Sequence, residues 1–387
     1  MRSMKYLFYL PSNIRYDMGG TRRWVIEIIN RLSKQNCDIT LVTTKFILKR
    51  LRINKPSLFI IDNNVKFIEL DYIRPPFGGL ILPKKDLNIF ISLLNDVDLI
   101  YFNYNFFLHD LTLYYLKRKI KKPCVIGIRY DIFKKKIYNF DYLYVSTIGK
   151  EIMKAFNAYH TMNINAKSKL ESWGLKNVYF IPNGVDTKSF VPMNQDNKNN
   201  KKFKILYAGR LESEKGSDTL YETILKLKDN PIFDELEFMI VGSGPFEVEF
   251  NKLSKKLNNV LKFPYVKHED LYKIYPENHV FVLPSRGEGM PSSILEAQSA
   301  GLPVIGSRIP GINEIVREGY NGYLMNPGSS KSLAFYLEKL FKLWKYDYEK
   351  YTEMCEHSRE NALKYDWDQV SNQIRHMLFT EAMRFQK

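Results

Sequence analysis

Residues 281–311 read FVLPSRGEGMPSSILEAQSAGLPVIGSRIPG, and their pattern is the clearest indication of the architecture of this chain. It continues an apolar strand, near 279–283, into a short polar loop. Pro291 predicts that a helix follows the loop, because its fixed φ suits the first helical turn. Gly301-Leu302-Pro303 then separates this helix from another short strand. The order strand, loop, helix, strand is typical of an α/β fold with a parallel sheet.

Two carboxylates stand at the carboxyl end of this strand. Glu288 lies in the loop, and Glu296 follows one to two turns inside the predicted helix. Ligands of open α/β sheets bind at this edge. A carboxylate accepts paired hydrogen bonds from vicinal hydroxyls, while a helix N-terminus favours a phosphate. The stretch therefore predicts a site for a sugar nucleotide.

The alternation of short strands and amphipathic helices extends over the whole chain and predicts a parallel sheet in each half. Strands are predicted near 4–10, 38–43, 66–70, 98–102, 123–128, 141–146, 177–181, 203–207, 236–241, 259–262, 279–283 and 303–306. Helices are predicted near 21–34, 84–95, 109–119, 165–173, 348–364 and 366–385. The expected domains are 1–193, a polar linker at 194–202, 203–365, and a C-terminal helix at 366–387.

The composition is that of an ordinary globular protein. Of 387 residues, 45% are hydrophobic and 26% are charged. No apolar run approaches the roughly 18 residues of a membrane-spanning helix, and the short apolar start is expected to form a buried strand rather than a signal sequence. The cysteines, Cys37, Cys124 and Cys355, lack metal-ligand spacing and indicate reduced packing residues in a cytoplasmic protein.

The net charge of +16 indicates either an anionic partner or a basic face exposed to solvent. The densest cluster runs from Lys117 to Lys136 and includes Arg129. Such clusters serve nucleic acid or an anionic membrane. Because the sequence lacks a helix-turn-helix, zinc or aromatic-platform signature, no nucleic-acid partner is expected, and a membrane surface is the partner we predict.

Three further loops follow predicted strands. Gly19-Gly20 opens the first helix, where paired glycines let a backbone approach a ligand. The segment 207–216, YAGRLESEKG, holds Arg210 and Lys215 on one loop, which suits a diphosphate. The segment 241–245, VGSGP, lacks the third glycine of a dinucleotide fingerprint, so Gly242 indicates close backbone packing rather than NAD binding.

Together these motifs resemble the family 4 retaining glycosyltransferases, also called glycosyl transferases group 1. The resemblance rests on Glu288-x7-Glu296, on the Gly-Arg…Lys-Gly element at 209–216, on Gly242-Ser-Gly-Pro, and on IPNGVD at 181–186, which is read as structural. It implies the GT-B architecture: two Rossmann-like domains facing each other across a cleft, with a C-terminal helix crossing back to the first domain. In this architecture the first domain would receive the acceptor and the second would bind the nucleotide sugar.

The resemblance also implies roles for particular residues. Arg210, Lys215 and Glu288 would act in catalysis, the two cations on the leaving diphosphate and Glu288 by binding hydroxyls of the donor sugar. Glu296 would bind the ribose hydroxyls. The donor site would also include Gly19, Gly20, Gly242, Gly289 and Met290. Family members often carry a histidine after the fifth strand, where this chain has Arg129.

Arg129 and His109 are the acceptor-side candidates, and His109 serves equally well as a cap of the helix that follows it. Two Asp-x-Asp strings, 96–98 and 366–368, are interpreted as structural, so no metal and no cofactor beyond the donor is expected. The function predicted is a retaining, metal-independent transfer of sugar from a nucleoside-diphosphate sugar to a glycan or lipid-linked acceptor. A nucleotide-sugar epimerase of the same fold and, with less support, a basic nucleic-acid-binding protein remain as alternatives.

Overall fold

A computed structural model describes residues 3–11, 20–46, 61–72, 82–103, 109–129, 145–193, 202–264 and 266–386. The chain divides into two compact units. Unit 1 comprises Met1–Pro182 together with Trp367–Lys387, and unit 2 comprises Asn183–Asp366. The linker predicted at 194–202 lies outside the described residues, apart from Lys202.

Unit 1 contains a parallel sheet of seven strands in the order β3-β2-β1-β4-β5-β6-β7. The strands are β1 Met4–Leu10, β2 Cys37–Phe46, β3 Lys66–Tyr72, β4 Leu99–Asn103, β5 Cys124–Ile128, β6 Ala158–Thr161 and β7 Val178–Phe180. The helices between them are α1 Gly20–Ser33, α2 Lys84–Asn95, α3 His109–Lys119, α4 Lys150–Met153 and α5 Ile164–Ser172. Every residue of β4 and β5 is buried, as expected for central strands covered on both faces.

Unit 2 contains a second parallel sheet, of six strands, in the order β10-β9-β8-β11-β12-β13. Its strands are β8 Phe203–Ala208, β9 Leu236–Val241, β10 Val260–Phe263, β11 Val280–Leu283, β12 Val304–Ser307 and β13 Gly322–Met325. Its helices are α6 Ser217–Leu227, α7 Glu247–Lys256, α8 His268–Ile274, α9 Ser292–Ser299, α10 Ser330–Tyr346 and α11 Tyr348–Leu363. The strand order reverses between β8 and β11, so the carboxyl ends of these two strands mark the switch point of the sheet, where open α/β sheets bind their ligands.

The last helix, α12 Trp367–Gln386, belongs to unit 1. Arg31 Nε lies 2.8 Å from Asp368 Oδ1, and Gln35 donates to Asn372 Oδ1 at 3.1 Å, so polar contacts join α1 to α12. Its buried residues include Trp367, Val370, Ile374 and Leu378. Met383, which the sequence pattern also puts on this apolar face, is 40% exposed, whereas the neighbouring Ala382 is buried.

The aspartates of the Asp-x-Asp strings bond to protein groups. Lys5 donates its backbone N–H to Asp98 at 2.9 Å and lies 3.1 Å from Asp96, at the amino end of the unit 1 sheet. Asp366 accepts a hydrogen bond from Thr187, and Asp368 pairs with Arg31. These contacts stabilise strand and helix ends.

The prediction of a strand at 141–146 is wrong where it can be compared. Residues Val145–Gly149 form a π-helical turn, and 141–144 lie outside the described residues. The short strands β6 and β13 and the helix α10 are elements that the sequence patterns did not locate. Within the described residues, no helix is both long and apolar enough to span a membrane.

Candidate functional site

The loops after β8 and β11 contact each other at the switch point of unit 2. The backbone N–H of Arg286 donates to the carbonyl of Glu214 at 2.8 Å. Gly216 has a φ of +72°, and a Cβ built on it would lie 2.0 Å from the carbonyl oxygen of Pro284. Glycine is therefore needed there, because it adopts positive φ without strain and leaves room for the facing backbone.

Two predicted catalytic residues meet where these loops touch. Lys215 Nζ lies 2.6 Å from Glu288 Oε1, and Ser285 Oγ donates to the same oxygen at 2.7 Å. The Glu288 side chain is only 7% exposed and that of Lys215 is 22% exposed. A charge pair this enclosed is weakly screened by solvent, so the ammonium and the carboxylate hold each other in place.

Arg286 is a residue of this site that sequence reasoning missed. Its Nη1 and Nη2 lie 2.6 and 2.8 Å from the two oxygens of Asp218, in the first turn of α6. Such a two-point contact fixes the planar guanidinium and carboxylate groups relative to each other. The pKa of Arg286 is raised, chiefly by the hydrogen bond to Asp218. The sequence offered a signal for this residue, because Arg286 lies in the same polar loop as Glu288.

Arg210 shares the loop with Lys215 but has its own charged partner. The Arg210 side chain is 70% exposed, and its Nη2 lies 2.8 Å from Glu212 Oε1. The backbone beneath it is held more firmly, because the Tyr207 hydroxyl donates to the Arg210 carbonyl at 2.8 Å. Burial raises the pKa of Tyr207, so this hydroxyl remains a proton donor.

Gly242 packs against the same loop from β9. Its φ is +141°, and a Cβ there would lie 1.9 Å from the carbonyl oxygen of Gly209. Lys262, almost completely buried, donates to the Gly242 carbonyl at 2.7 Å. Gly242 therefore provides close backbone packing beside the loop that carries Arg210, and Lys262 stabilises it.

Glu296 is buried in α9, with both of its carboxylate oxygens in polar contact. His268 Nε2 lies 3.0 Å from Oε1, and the Tyr275 hydroxyl donates to Oε2 at 3.2 Å. Phe190 packs edge-on against His268 and Tyr275, with ring centroids 5.3 and 5.4 Å away. The sequence identified Glu296 but not these supporting residues, which precede it by 28 and 21 positions.

Gly289 and Met290 connect the loop to other parts of unit 2. A Cβ on Gly311, whose φ is +83°, would lie 2.2 Å from the Gly289 carbonyl oxygen. The Asn183 side chain donates to the Met290 carbonyl at 3.2 Å. Residue 183, from the segment read as structural, therefore supports the backbone between Glu288 and α9.

The remaining candidates lie in unit 1. Gly19 and the side chain of His109 are outside the described residues, although His109 begins α3. Gly20 begins α1 with open space where a Cβ would be. Arg129 follows β5 and is 7% exposed, so it does not belong to a solvated basic face.

Residues 192–364, which cover most of unit 2, match the family model described as Glycosyl transferases group 1. The sulfoquinovosyl transferase SQD2 of Arabidopsis thaliana is 28% identical over 62% of this chain and 44% of its own length. An Escherichia coli enzyme named UDP-Gal:alpha-D-GlcNAc-diphosphoundecaprenol alpha-1,3-galactosyltransferase is 30% identical over 52% of this chain and 56% of its own. The matched part of this chain thus spans about half the length of these two relatives.

Solved structures are similar over nearly the whole chain. The sucrose-phosphate synthase of Thermosynechococcus elongatus superimposes with a TM-score of 0.77 at 18% identity, covering 97% of this chain and 98% of that one. The pneumococcal O-GlcNAc transferase GtfA, in complex with UDP and GlcNAc, gives 0.74 at 15% identity, covering 98% and 99%. The predicted α/β fold of GT-B architecture is confirmed, as is the resemblance to glycosyltransferases.

Proposed function

We propose that this protein is a retaining glycosyltransferase, because residues 192–364 match the family model of the glycosyl transferases group 1 and the chain has the GT-B fold. It moves a sugar from a nucleoside-diphosphate sugar to a glycan or lipid-linked acceptor, without a metal ion. The observation that carries the proposal is the Lys215–Glu288 pair at the switch point of the unit that matches the family. It joins a cation for the diphosphate to a carboxylate for the sugar.

The diphosphate is the part of the donor on which negative charge builds as the sugar leaves. Lys215 and Arg210 lie on one loop at the carboxyl end of β8, and α9 begins at the end of the facing loop. Fixed cations and a helix N-terminus stabilise such charge without reorganising during the reaction. We assign Lys215 and Arg210 to the leaving diphosphate, which accounts for transfer without a metal ion.

Glu288 is suited to bind the donor sugar. In the described residues, its contacts with Lys215 and Ser285 both fall on Oε1. Oε2 therefore remains to accept hydrogen bonds from sugar hydroxyls, while Lys215 keeps the carboxylate oriented. We assign Glu296 the same role toward the ribose, because His268 and Tyr275 hold its carboxylate in a fixed orientation in α9, directly after the loop that carries Glu288.

Retention follows when the acceptor oxygen attacks the anomeric carbon on the face from which the diphosphate departs. The bond from the anomeric carbon to the acceptor oxygen forms while the bond to the phosphate oxygen breaks. The acceptor hydroxyl proton passes to the leaving phosphate. On this route Lys215 and Arg210 stabilise charge, and the protein provides no nucleophile.

A lipid-linked acceptor is supported by a basic and aromatic surface of unit 1. It is formed by Lys117, Arg118, Lys119, Lys121 and Lys122 with the exposed rings of Tyr115 and Phe385. Lys117 Nζ lies 5.7 Å from the centre of the Phe385 ring, so the end of α3 and the end of α12 share this surface. Each cation near an acidic membrane contributes about 1 kcal/mol to binding. We propose that the protein binds peripherally to the inner face of a membrane; Lys134–Lys136 of the predicted cluster lie outside the described residues.

The experiment that tests the function is a thermal-shift panel of UDP, GDP and ADP sugars, followed by product analysis with the stabilising donor. A glycosyltransferase releases the nucleoside diphosphate only when an acceptor or water takes the sugar. An epimerase instead converts the donor into an isomer with the nucleotide still attached. Absence of any stabilisation by the three nucleotide classes, under conditions where the chain is folded, contradicts the proposal.

A further inference from the structure

Unit 1 contains a buried arginine at the ligand edge of its sheet. Arg129 directly follows β5, and its guanidinium carbon lies 3.2 Å from the centre of the Trp24 ring. Trp24 is in the second turn of α1 and is itself 1% exposed. The cation is therefore stacked between the sheet edge and the start of a helix. This is an arrangement with fixed geometry rather than a solvated side chain.

One end of this guanidinium begins a chain of hydrogen bonds across the sheet. Arg129 Nη2 donates to the Tyr101 hydroxyl, which lies 2.8 Å from His160 Nδ1. His160 Nε2 lies 2.8 Å from the Ile181 carbonyl. Because a carbonyl only accepts, Nε2 carries the proton, Nδ1 accepts, and the Tyr101 proton points to His160. Burial and the nearby Arg129 lower the pKa of His160, so the histidine is neutral. Each proton along this chain is therefore used in a hydrogen bond.

The other two nitrogens of the Arg129 guanidinium take no part in this chain of hydrogen bonds. Nε and Nη1 are buried, and among the residues that the structure describes they have no hydrogen-bond partner. Burial lowers the pKa of Arg129 to about 10, against an opposing effect of Tyr101, so the group stays charged at neutral pH. Within the described part of the chain, no carboxylate pairs with it. A buried charge without a counter-charge costs several kcal/mol, and native structures keep such groups when a ligand completes them.

The described residues around Arg129 make room for its side chain but do not neutralise its charge. A Cβ on Gly127 would lie 1.9 Å from the Tyr101 hydroxyl oxygen, so a glycine in β5 makes room for the tyrosine that holds Arg129. The first turn of α1 contains no acidic residue. The N-terminus of this helix adds positive potential on the side of Trp24.

We propose that Arg129 binds an anionic group, a carboxylate or a phosphate, of the substrate that unit 1 receives. The three N–H groups on Nε and Nη1 supply the hydrogen bonds and the charge. The inference rests on the proposed function for the assumption that unit 1 receives the acceptor. It goes further, because it states the chemistry of that acceptor: a sugar acid or a phosphate-bearing molecule rather than a neutral sugar.

The alternative is that Arg129 only supports Trp24 and Tyr101. The two roles predict different melting temperatures for the unliganded protein when the charge of Arg129 is removed. If Arg129 serves a ligand, Arg129→Met keeps the length of the side chain, removes an uncompensated charge and leaves the melting temperature unchanged or higher. If it is a structural support, the same change lowers the melting temperature.

The experiment titrates the full-length chain with inorganic phosphate, glucuronate and, as a neutral control, glucose, at constant ionic strength. Tryptophan fluorescence reports binding because Arg129 stacks on Trp24, and Trp24→Phe identifies that signal. The matched control is Arg375→Met, which removes an exposed arginine of α12 that lies outside both proposed binding surfaces. Arg129→Gln is a second variant in case the methionine variant does not fold.

We expect saturable binding of phosphate or glucuronate to the wild type and to Arg375→Met, and no response to glucose. In Arg129→Met this binding should be weakened at least tenfold, which is about the factor that a charged hydrogen bond contributes. The stronger of the two anions identifies the group. Equal anion binding by wild type and both Arg129 variants overturns the inference, as does its absence in a wild type that still binds UDP. Anion binding that depends on Arg129 in a chain that binds no nucleotide refutes the proposed function but not this site.

Discussion

Lys215 and Glu288, whose side-chain charges are 2.6 Å apart, come from loops after two different strands that are hydrogen-bonded neighbours in the sheet. Each of these residues is fixed by the other loop as much as by its own. The donor site therefore depends on the pairing of β8 with β11.

Lys215→Met should lower turnover by on the order of a hundredfold, because it removes a fixed cation from the leaving diphosphate. Lys226→Met, an exposed lysine of α6, is the control and should keep full activity. Initial rates at saturating donor decide it. A Lys215→Met enzyme with unchanged turnover removes this residue from the chemistry.

Glu296→Gln should weaken donor binding by about ten- to a hundredfold, since a charged acceptor for ribose hydroxyls is worth roughly 1.5–3 kcal/mol. Glutamine keeps the shape of the side chain. Calorimetry with the donor that stabilises the wild type measures the effect. Glu222→Gln, at an exposed position of α6, is the matched control. Equal dissociation constants for all three proteins exclude Glu296 from the site.

Treatment with EDTA should leave the rate of transfer unchanged, because we assign the charge on the leaving diphosphate to Lys215 and Arg210. The rate is measured with chelator in excess over any contaminating metal. Inhibition by EDTA that manganese reverses contradicts the metal-independent mechanism.

Gly216→Ala should destabilise the protein by more than about 1–3 kcal/mol, because a positive φ and a clash with the Pro284 carbonyl add up. Gly174→Ala is its control: the φ there is +79°, but no atom lies within 4 Å of the added Cβ. Thermal unfolding of the two variants separates the clash from the backbone strain. Equal losses indicate that the two loops give way easily.

The wild type should sediment with acidic vesicles at low salt, and exchange of Lys117, Lys119, Lys121 and Lys122 for Glu should release it. The control carries the same number of exchanges on exposed lysines of unit 2, at Lys252, Lys255, Lys256 and Lys273. If both variants sediment like the wild type, the surface around α3 does not bind membranes.

The bounds of several strands and helices could be predicted from the sequence, because they depend on residues close together in the chain. The strand Met4–Leu10 and the helices Lys84–Asn95 and His109–Lys119 have the predicted bounds, because apolar periodicity and end signals act over a few residues. The strand β6, with His160 among four residues, gave too short a pattern to recognise.

The partners within the site were beyond such reasoning. The loop positions of Glu288 and Lys215 follow from strand ends, but their ion pair follows from strand order, which depends on pairings far apart in the chain. The same holds for Arg286 with Asp218 and for His268 with Glu296. In the sequence Arg129 is part of a basic cluster, whereas in the structure it is buried and stacked on Trp24, a residue 105 positions earlier in the chain.

The return of helix α12 to unit 1 has a consequence for how the protein is made. This helix is synthesised after the whole of unit 2, so until then the growing chain lacks the apolar face of Trp367, Val370 and Ile374 that completes unit 1. A fragment that stops at Pro182 should therefore aggregate or recruit chaperones. Joining residues 367–386 to it through a short linker should restore a separately folded unit 1.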